Sequence, residues 1–189
     1  MKSINYISLM ALAICLFTFG ACSEIEKASI VTVSVPDFTV EIPAVIESPS
    51  TSNALMRADD GFRTFSGSAP IDISSANFAD LEKYRDMITS IAIGTASVEI
   101  TAATGTMAKD IVISATGVTP NFSISSYEFG TEYSTGLVTY ATKIFNQFVK
   151  TGNITISISG KTDVDESTNK VDITIHFGDI DVKAQLITL

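Results

Sequence analysis

The stretch Asn153–Ile180, NITISISGKTDVDESTNKVDITIHFGDI, decides the fold class. Ile154, Ile156 and Ile158 alternate with Thr155 and Ser157, and Val171, Ile173, Ile175 and Phe177 repeat the pattern after a polar interval. An apolar residue at every second position marks a strand with one face in a core, because successive side chains point to opposite faces. These two runs, with the turn Gly160 to Lys170 between them, are expected to form an antiparallel hairpin. Past Phe177 the apolar positions change from odd to even, at Ile180, Val182 and Ala184, with Gly178 at the change. A straight strand would then turn its apolar side to water, so Gly178 is expected to mark a bulge or bend. The same change separates Ile91 and Ile93 from Val98 and Ile100, with Gly94 between them. Strands of this kind point to a sandwich whose long strands bend to serve both sheets.

The earlier part of the chain agrees. Val31, Val33 and Val35, then Phe38, Val40 and Ile42, alternate in the same way. Pro36 and Pro43 place this first hairpin or bent strand at a sheet edge, since proline removes a ladder donor. A linker rich in Ser, Pro and Asn follows from Glu47 to Asp60. Two segments change to helical spacing. Phe78, Leu81, Tyr84 and Ile88 form one stripe, with Asn77 as N-cap and Asp80 completing a capping box. Leu137, Tyr140, Ala141, Ile144, Phe145 and Phe148 form the stronger one, closed by Gly152. The expected architecture is mainly β: an antiparallel β-sandwich with two short flanking helices.

The first residues carry an address. Lys2 supplies a positive start, Ile7 to Phe19 is an almost unbroken apolar run, and Gly20 and Ala21 lead into Cys22. The run is too short for a spanning helix, which needs about 20 apolar residues, and it has the form of a cleaved secretory signal. Phe19-Gly20-Ala21-Cys22 resembles the lipobox of bacterial lipoproteins, with Phe19 where Leu is usual. That resemblance implies acylation of Cys22 and cleavage before it, with membrane attachment through the lipid. Ser23, where retained lipoproteins carry Asp, implies the outer membrane, with the domain on its periplasmic or cell-surface face. The phenylalanine-containing lipobox and the acidic Ser23-Glu24-Ile25-Glu26 resemble exported lipoproteins of Bacteroidota-type cells. The expected divisions are residues 1–21 (signal), 22–60 (a lipidated arm with the first strands and linker) and 61–189 (the main body of one β-rich domain).

Composition limits the chemistry. Removing residues 1–21 loses Lys2 and leaves 11 basic against 21 acidic residues, a formal charge of −10. Such a surface disfavours phosphate backbones, so no nucleic-acid partner is expected. Cys15 leaves with the signal and Cys22 is blocked by lipid, so the body has neither disulfide nor thiol nucleophile. The sole histidine, His176, shares the polar face of a strand with Asp172. Four residues at about 3.3 Å each hold the two some 13 Å apart, beyond hydrogen-bond reach. No hydrolase elbow, zinc helix, phosphate loop or dinucleotide fingerprint occurs, and no cofactor is expected.

The acidic turn Asp163, Asp165, Glu166, Ser167 and Asn169 has the alternating oxygen ligands of a calcium loop, making Asp163, Asp165, Ser167 and Asn169 candidate cation ligands. Thr168 stands where such a loop needs glycine, which favours a solvated turn. Glu99, Glu128 and Glu132 are the candidates for paired-carboxylate hydrolysis. Tyr127, Phe129 and Tyr133 offer a small aromatic surface or, more simply, core packing.

The expected function is a lipid-anchored cell-envelope protein, a non-catalytic binding or structural module rather than an enzyme. One alternative is a carboxylate-dependent hydrolase. Another is strand-addition assembly: Arg57, in the linker after the first strands, and the strand-like Asp181 to Leu189 give a layout similar to that of fimbrillin-like pilus subunits, which are cleaved after an arginine.

Overall fold

A computed structural model describes residues 29–47 and 61–186, except residue 166. The leader 1–21, Cys22, Arg57 and the rest of the linker from 48 to 60 lie outside the described residues. The chain divides into a main unit, Thr32–Ala184, and a second unit of its two ends, Met1–Val31 with Gln185–Leu189. Of the second, Ser29–Val31 and Gln185–Leu186 are described, and they are extended.

Among the described residues the fold is mainly β with antiparallel sheets and two short helices. Its strands are β1 (Ser29–Ser34), β2 (Phe38–Ile46), β3 (Arg63–Asp72), β4 (Ile88–Thr101), β5 (Met107–Ala115), β6 (Phe122–Glu128), β7 (Glu132–Tyr133), β8 (Asn153–Thr162) and β9 (Lys170–Leu186). The order is β6-β5-β8-β3-β2-β9-β4-β7, with β1 also pairing β9. Two halves meet at β2 and β3, which share only the pairs Val45–Ser66 and Ile46–Phe65. At this corner a Cβ on Gly67 would stand 2.8 Å from Ala44 Cα, so only glycine lets the backbones cross so closely.

The expected hairpin between residues 154–158 and 171–177 does not form. β8 pairs with β3 and β5, and β9 pairs with β2 and β4. Alternation reports which face a strand buries and says nothing about its neighbours, and Asp163–Asn169 lacks the two-residue turn that would force a hairpin. The corner strands β2 and β3 lie between β8 and β9 instead. Pro43 sits in β2, which stands mid-order, yet the residues of β2 from Phe38 to Ala44 are paired on the β9 side alone. Locally this is the edge that proline requires.

The first helical segment is broken into a 3-10 turn (Ala76–Phe78), α1 (Ala79–Tyr84) and a second 3-10 turn (Arg85–Met87). No side chain caps either start, so the expected Asn77 capping box is absent. The bend is opened by Asp72, whose Oδ1 accepts the Ser74 N–H at 2.8 Å. The second helix, α2 (Leu137–Thr151), forms as its stripe requires. Leu137, Tyr140, Ala141, Ile144, Phe145, Phe148 and Val149 are buried, and Gly152 closes it with φ of 81°. Arg85 reaches its C-terminal end, donating from Nε to the Val149 carbonyl at 2.7 Å and from a terminal nitrogen to that of Lys150 at 2.6 Å.

α2 packs on β4 and β8, one strand from each half. Phe38 of β2 stacks on Phe177 of β9 with centroids 4.8 Å apart and meets Phe78 edge-on at 5.0 Å, and Phe78 meets Phe148 of α2. Such pairs add about 0.5–1.5 kcal/mol each beyond area burial, and they tie four elements at one end of the core.

Candidate functional site

The parity changes read from the sequence mark a fold line across the sheet. β4 and β9 both change the buried face there, yet their register is unbroken from Ser90–Lys183 to Thr101–Asp172. The two strands kink together, so Gly178 marks a bend and not a bulge. The left-handed residue is its neighbour Asp179, at φ of 52°. Opposite it, a Cβ on Gly94 would lie 2.7 Å from Asp179 Cβ. On the other flank of β9 the break between β1 and β2 falls at Pro36 and Asp37, and Asp37 Oδ1 accepts the Asp179 N–H at 3.0 Å. Three strand lines thus bend along one row.

The bend opens a groove of about 940 Å³ in the sheet. Thr39, His176 and Ser97 form one transverse row, because His176 is the cross-strand partner of Thr39 on β2 and of Ser97 on β4. Asp37, Thr95, Glu132 and Ser134 add oxygen atoms, Asn77 an amide, and Phe38, Phe177 and Val138 an apolar floor. Ser97 lies between the buried residues Ala96 and Val98 and is itself only 5% exposed. Its hydroxyl has no hydrogen-bond partner among the described residues and stays accessible from the groove. A hydroxyl so placed can exchange water for a hydrogen bond to a ligand.

Beside the groove a smaller notch of about 390 Å³ is lined by Glu99, Gly130, Thr131, Glu132 and His176. Glu99 and Glu132 are cross-strand partners on β4 and β7, so the structure brings these two sequence candidates together. Glu128 does not join them, being paired with Met107 on the other half. Tyr127 positions the notch. Its hydroxyl accepts the Ile100 N–H at 2.9 Å and donates to the Thr131 carbonyl, clamping the turn that carries Glu132 to β4. Burial pushes the Tyr127 hydroxyl above the usual tyrosine range, the bond from Ile100 opposing this in part. Tyr133 packs its ring on Phe122.

In the acidic segment the carboxylates of Asp163 and Asp165 accept hydrogen bonds from nearby chain. Asp163 Oδ1 accepts the Thr106 and Met107 N–H groups, each at 2.9 Å, and Oδ2 accepts the Thr106 hydroxyl at 2.7 Å. Burial raises the Asp163 carboxyl, but these bonds together outweigh it and hold the group below the usual carboxylate range. Asp165 Oδ1 accepts the N–H and hydroxyl of Ser167, which lowers that carboxyl too. The Asn169 carbonyl accepts the Ile46 N–H. Arg63 donates to the carbonyls of Asp165 and Thr168 at 2.7 and 2.9 Å. The side chains of Asp163, Asp165 and Ser167, with the backbone carbonyl of Asn169, thus help to fasten the crossing from β8 to β9. Among the described residues no three or more His, Cys, Asp or Glu gather so as to hold a metal ion. No helix among them is long and apolar enough to cross a membrane.

Sequence reading passed over Ser97, Thr39 and Asp37, and placed His176 on a plain solvent face. The signal that could have found them was the pair of glycines, since a row shared by Gly94 and Gly178 also aligns residues 97 and 176.

Comparison with protein-family models, with curated proteins and with solved structures finds no match to this chain. Fold and site together define a mainly β, antiparallel domain with a polar groove on a bend line.

Proposed function

We propose that the chain is an outer-membrane lipoprotein, held by acyl chains on Cys22, whose β domain is a non-catalytic binding module with the fold-line groove as its ligand site. The lipobox-like Phe19-Gly20-Ala21-Cys22 supports the anchor. Six residues separate Cys22 from Ser29, where β1 starts. Seven chain steps reach at most about 25 Å, which keeps β1 near the bilayer.

The observation that carries the binding reading is the unpartnered hydroxyl of Ser97, a largely buried residue whose oxygen opens on a groove made by backbone bends on paired strands. A rigid, preformed concavity with a few convergent polar groups is the usual form of a small-molecule site. Native mass spectrometry of the protein purified from its own membrane tests this. A retained small molecule is expected, and it is expected to vanish in Thr39→Trp, which fills the groove from an exposed position. The same molecule on both proteins, or on neither, would overturn the assignment.

A second reading, a carboxylate-dependent hydrolase, is favoured by one observation: Glu99, Glu132 and His176 line one notch. It predicts turnover of a glycoside or ester panel that both Glu99→Gln and Glu132→Gln abolish.

A further inference from the structure

We propose that the groove takes a hydroxyl-rich ligand of positive charge, with an amino sugar as the simplest chemical type. This rests on the groove being the ligand site, and it adds the class of ligand. Neither Lys nor Arg lines the groove, whereas Asp37 and Glu132 do. Asp37 uses Oδ1 on the Asp179 N–H, and Oδ2 has no partner among the described residues. Two carboxylates with no cation between them favour an ammonium group and repel a carboxylate or phosphate. The net charge of −9 acts in the same sense over a longer range, raising the local concentration of cations at the mouth.

Hydroxyl recognition comes from the row across the groove. Thr39, His176 and Ser97 sit on three adjacent strands at the lateral spacing of about 4.8 Å between strands. A molecule with hydroxyls spaced along one side can meet them in turn. Ser97 is the least exposed of the three, and its unpartnered hydroxyl can both donate and accept. The half-exposed Phe38, stacked on Phe177, supplies a C–H-compatible surface beside this row. A purely apolar ligand would leave Ser97 unmatched, and a simple polyamine would not use the row. A molecule bearing hydroxyls on a compact ring and an ammonium group uses both.

Titration calorimetry on the full mature chain tests the class with three probes: a β-1,4-linked glucosamine trimer, spermidine and a galacturonic acid trimer. The glucosamine trimer is expected to bind, with spermidine at least tenfold weaker and the acidic trimer silent. Ser97→Ala, which is isosteric and keeps the fold, is expected to weaken the glucosamine trimer five- to tenfold. Thr39→Trp is expected to abolish its binding, with an unchanged far-ultraviolet spectrum showing that the domain still folds. Equal or tighter binding of the acidic trimer, or indifference to Ser97→Ala, would overturn the ligand class. If the glucosamine trimer fails while the native protein still carries a molecule that Thr39→Trp removes, the class falls and the groove stands as the site. If neither is seen, both fall.

Discussion

Gly94 and Asp179 face each other across β4 and β9 so closely that a Cβ on the glycine would meet the aspartate Cβ at 2.7 Å. Asp179 is already held left-handed there and is tied by its N–H to Asp37. The contact is between rigid atoms at the base of a side chain, so it cannot be relieved by a rotamer change. Gly94→Ala is therefore expected to destabilise the domain by about 1–3 kcal/mol, the usual cost of overpacking. Gly178→Ala meets the Thr95 hydroxyl at 2.6 Å, a group that can rotate, and is expected to cost less. Urea denaturation of the two variants checks the order, and a larger loss for Gly178→Ala would contradict the shared kink.

Asp163 supplies a pH-dependent prediction. Its carboxyl is held below the unfolded value of about 3.9 by bonds it accepts only in the folded chain. The native state therefore favours the ionised form. This contribution is fully present above the unfolded value and is lost as the pH falls through the lowered folded one. Asp163→Ala is expected to lower stability by about 1–3 kcal/mol at pH 7, the range for bonds to a charged acceptor. The gap from the natural protein is expected to narrow below about pH 4. Denaturation midpoints at pH 7, 5 and 3 provide the measurement.

Arg85 closes α2 from a separate element by binding the carbonyls of Val149 and Lys150. It satisfies two end carbonyls and places positive charge at the negative pole of the helix. Arg85→Met is expected to cost about 1–2 kcal/mol, and Arg85→Lys to recover only part, because one ammonium cannot reproduce two fixed bonds. Thermal unfolding of the three forms tests the ranking.

The core-facing side of α2 gives a larger effect. Phe148 is 1% exposed and meets Phe78 with centroids 5.0 Å apart. Phe148→Ala is expected to remove about 3–5 kcal/mol, the usual cost of a buried phenylalanine. A loss under about 1 kcal/mol in urea would mean that the site collapses to refill the space.

For the proposed anchor, Cys22→Ala is expected to move the protein from the membrane to the soluble fraction. Mass spectrometry of the natural protein is expected to find an acylated Cys22 joined to the whole chain. Cleavage after Arg57 would detach β1 and β2, and with them Ile42 and Ala44, both fully buried, and the eight β9 pairings of Phe38–Val45. A truncated mature form would favour assembly by strand addition instead.

Strand identity was legible wherever one face is buried, as at Ile154–Ile158 and Val171–Phe177, because alternation reports burial directly. The pairing of those strands was not, because residues far apart in sequence decide it: Arg63–Asp72 pairs with all of β8. The α2 stripe was legible down to its closing Gly152, since six apolar positions and a C-cap agree. The weaker Phe78–Ile88 stripe has the spacing of one helix, but Ile88 belongs to β4 and the segment breaks into a 3-10 turn, α1 and a second 3-10 turn. A left-handed residue at Asp110, with a register shift against β8 between Lys109 and Val112, had no sequence mark because no glycine stands there. In the groove, Gly94 and Gly178 were visible as parity changes. The Thr39–His176–Ser97 row was not, since it depends on two ladders whose register no single strand contains.

β9 is the last in chain order of the described strands, and β1, β2 and β4 all lean on it. While the polypeptide is still growing, those three have no common partner, and one half of the domain cannot assemble before Lys170–Leu186 has emerged. Such distant pairing delays folding. The half built on β8 needs no such wait, because β3 and β5 precede β8 in the chain, so the two halves are expected to form one after the other.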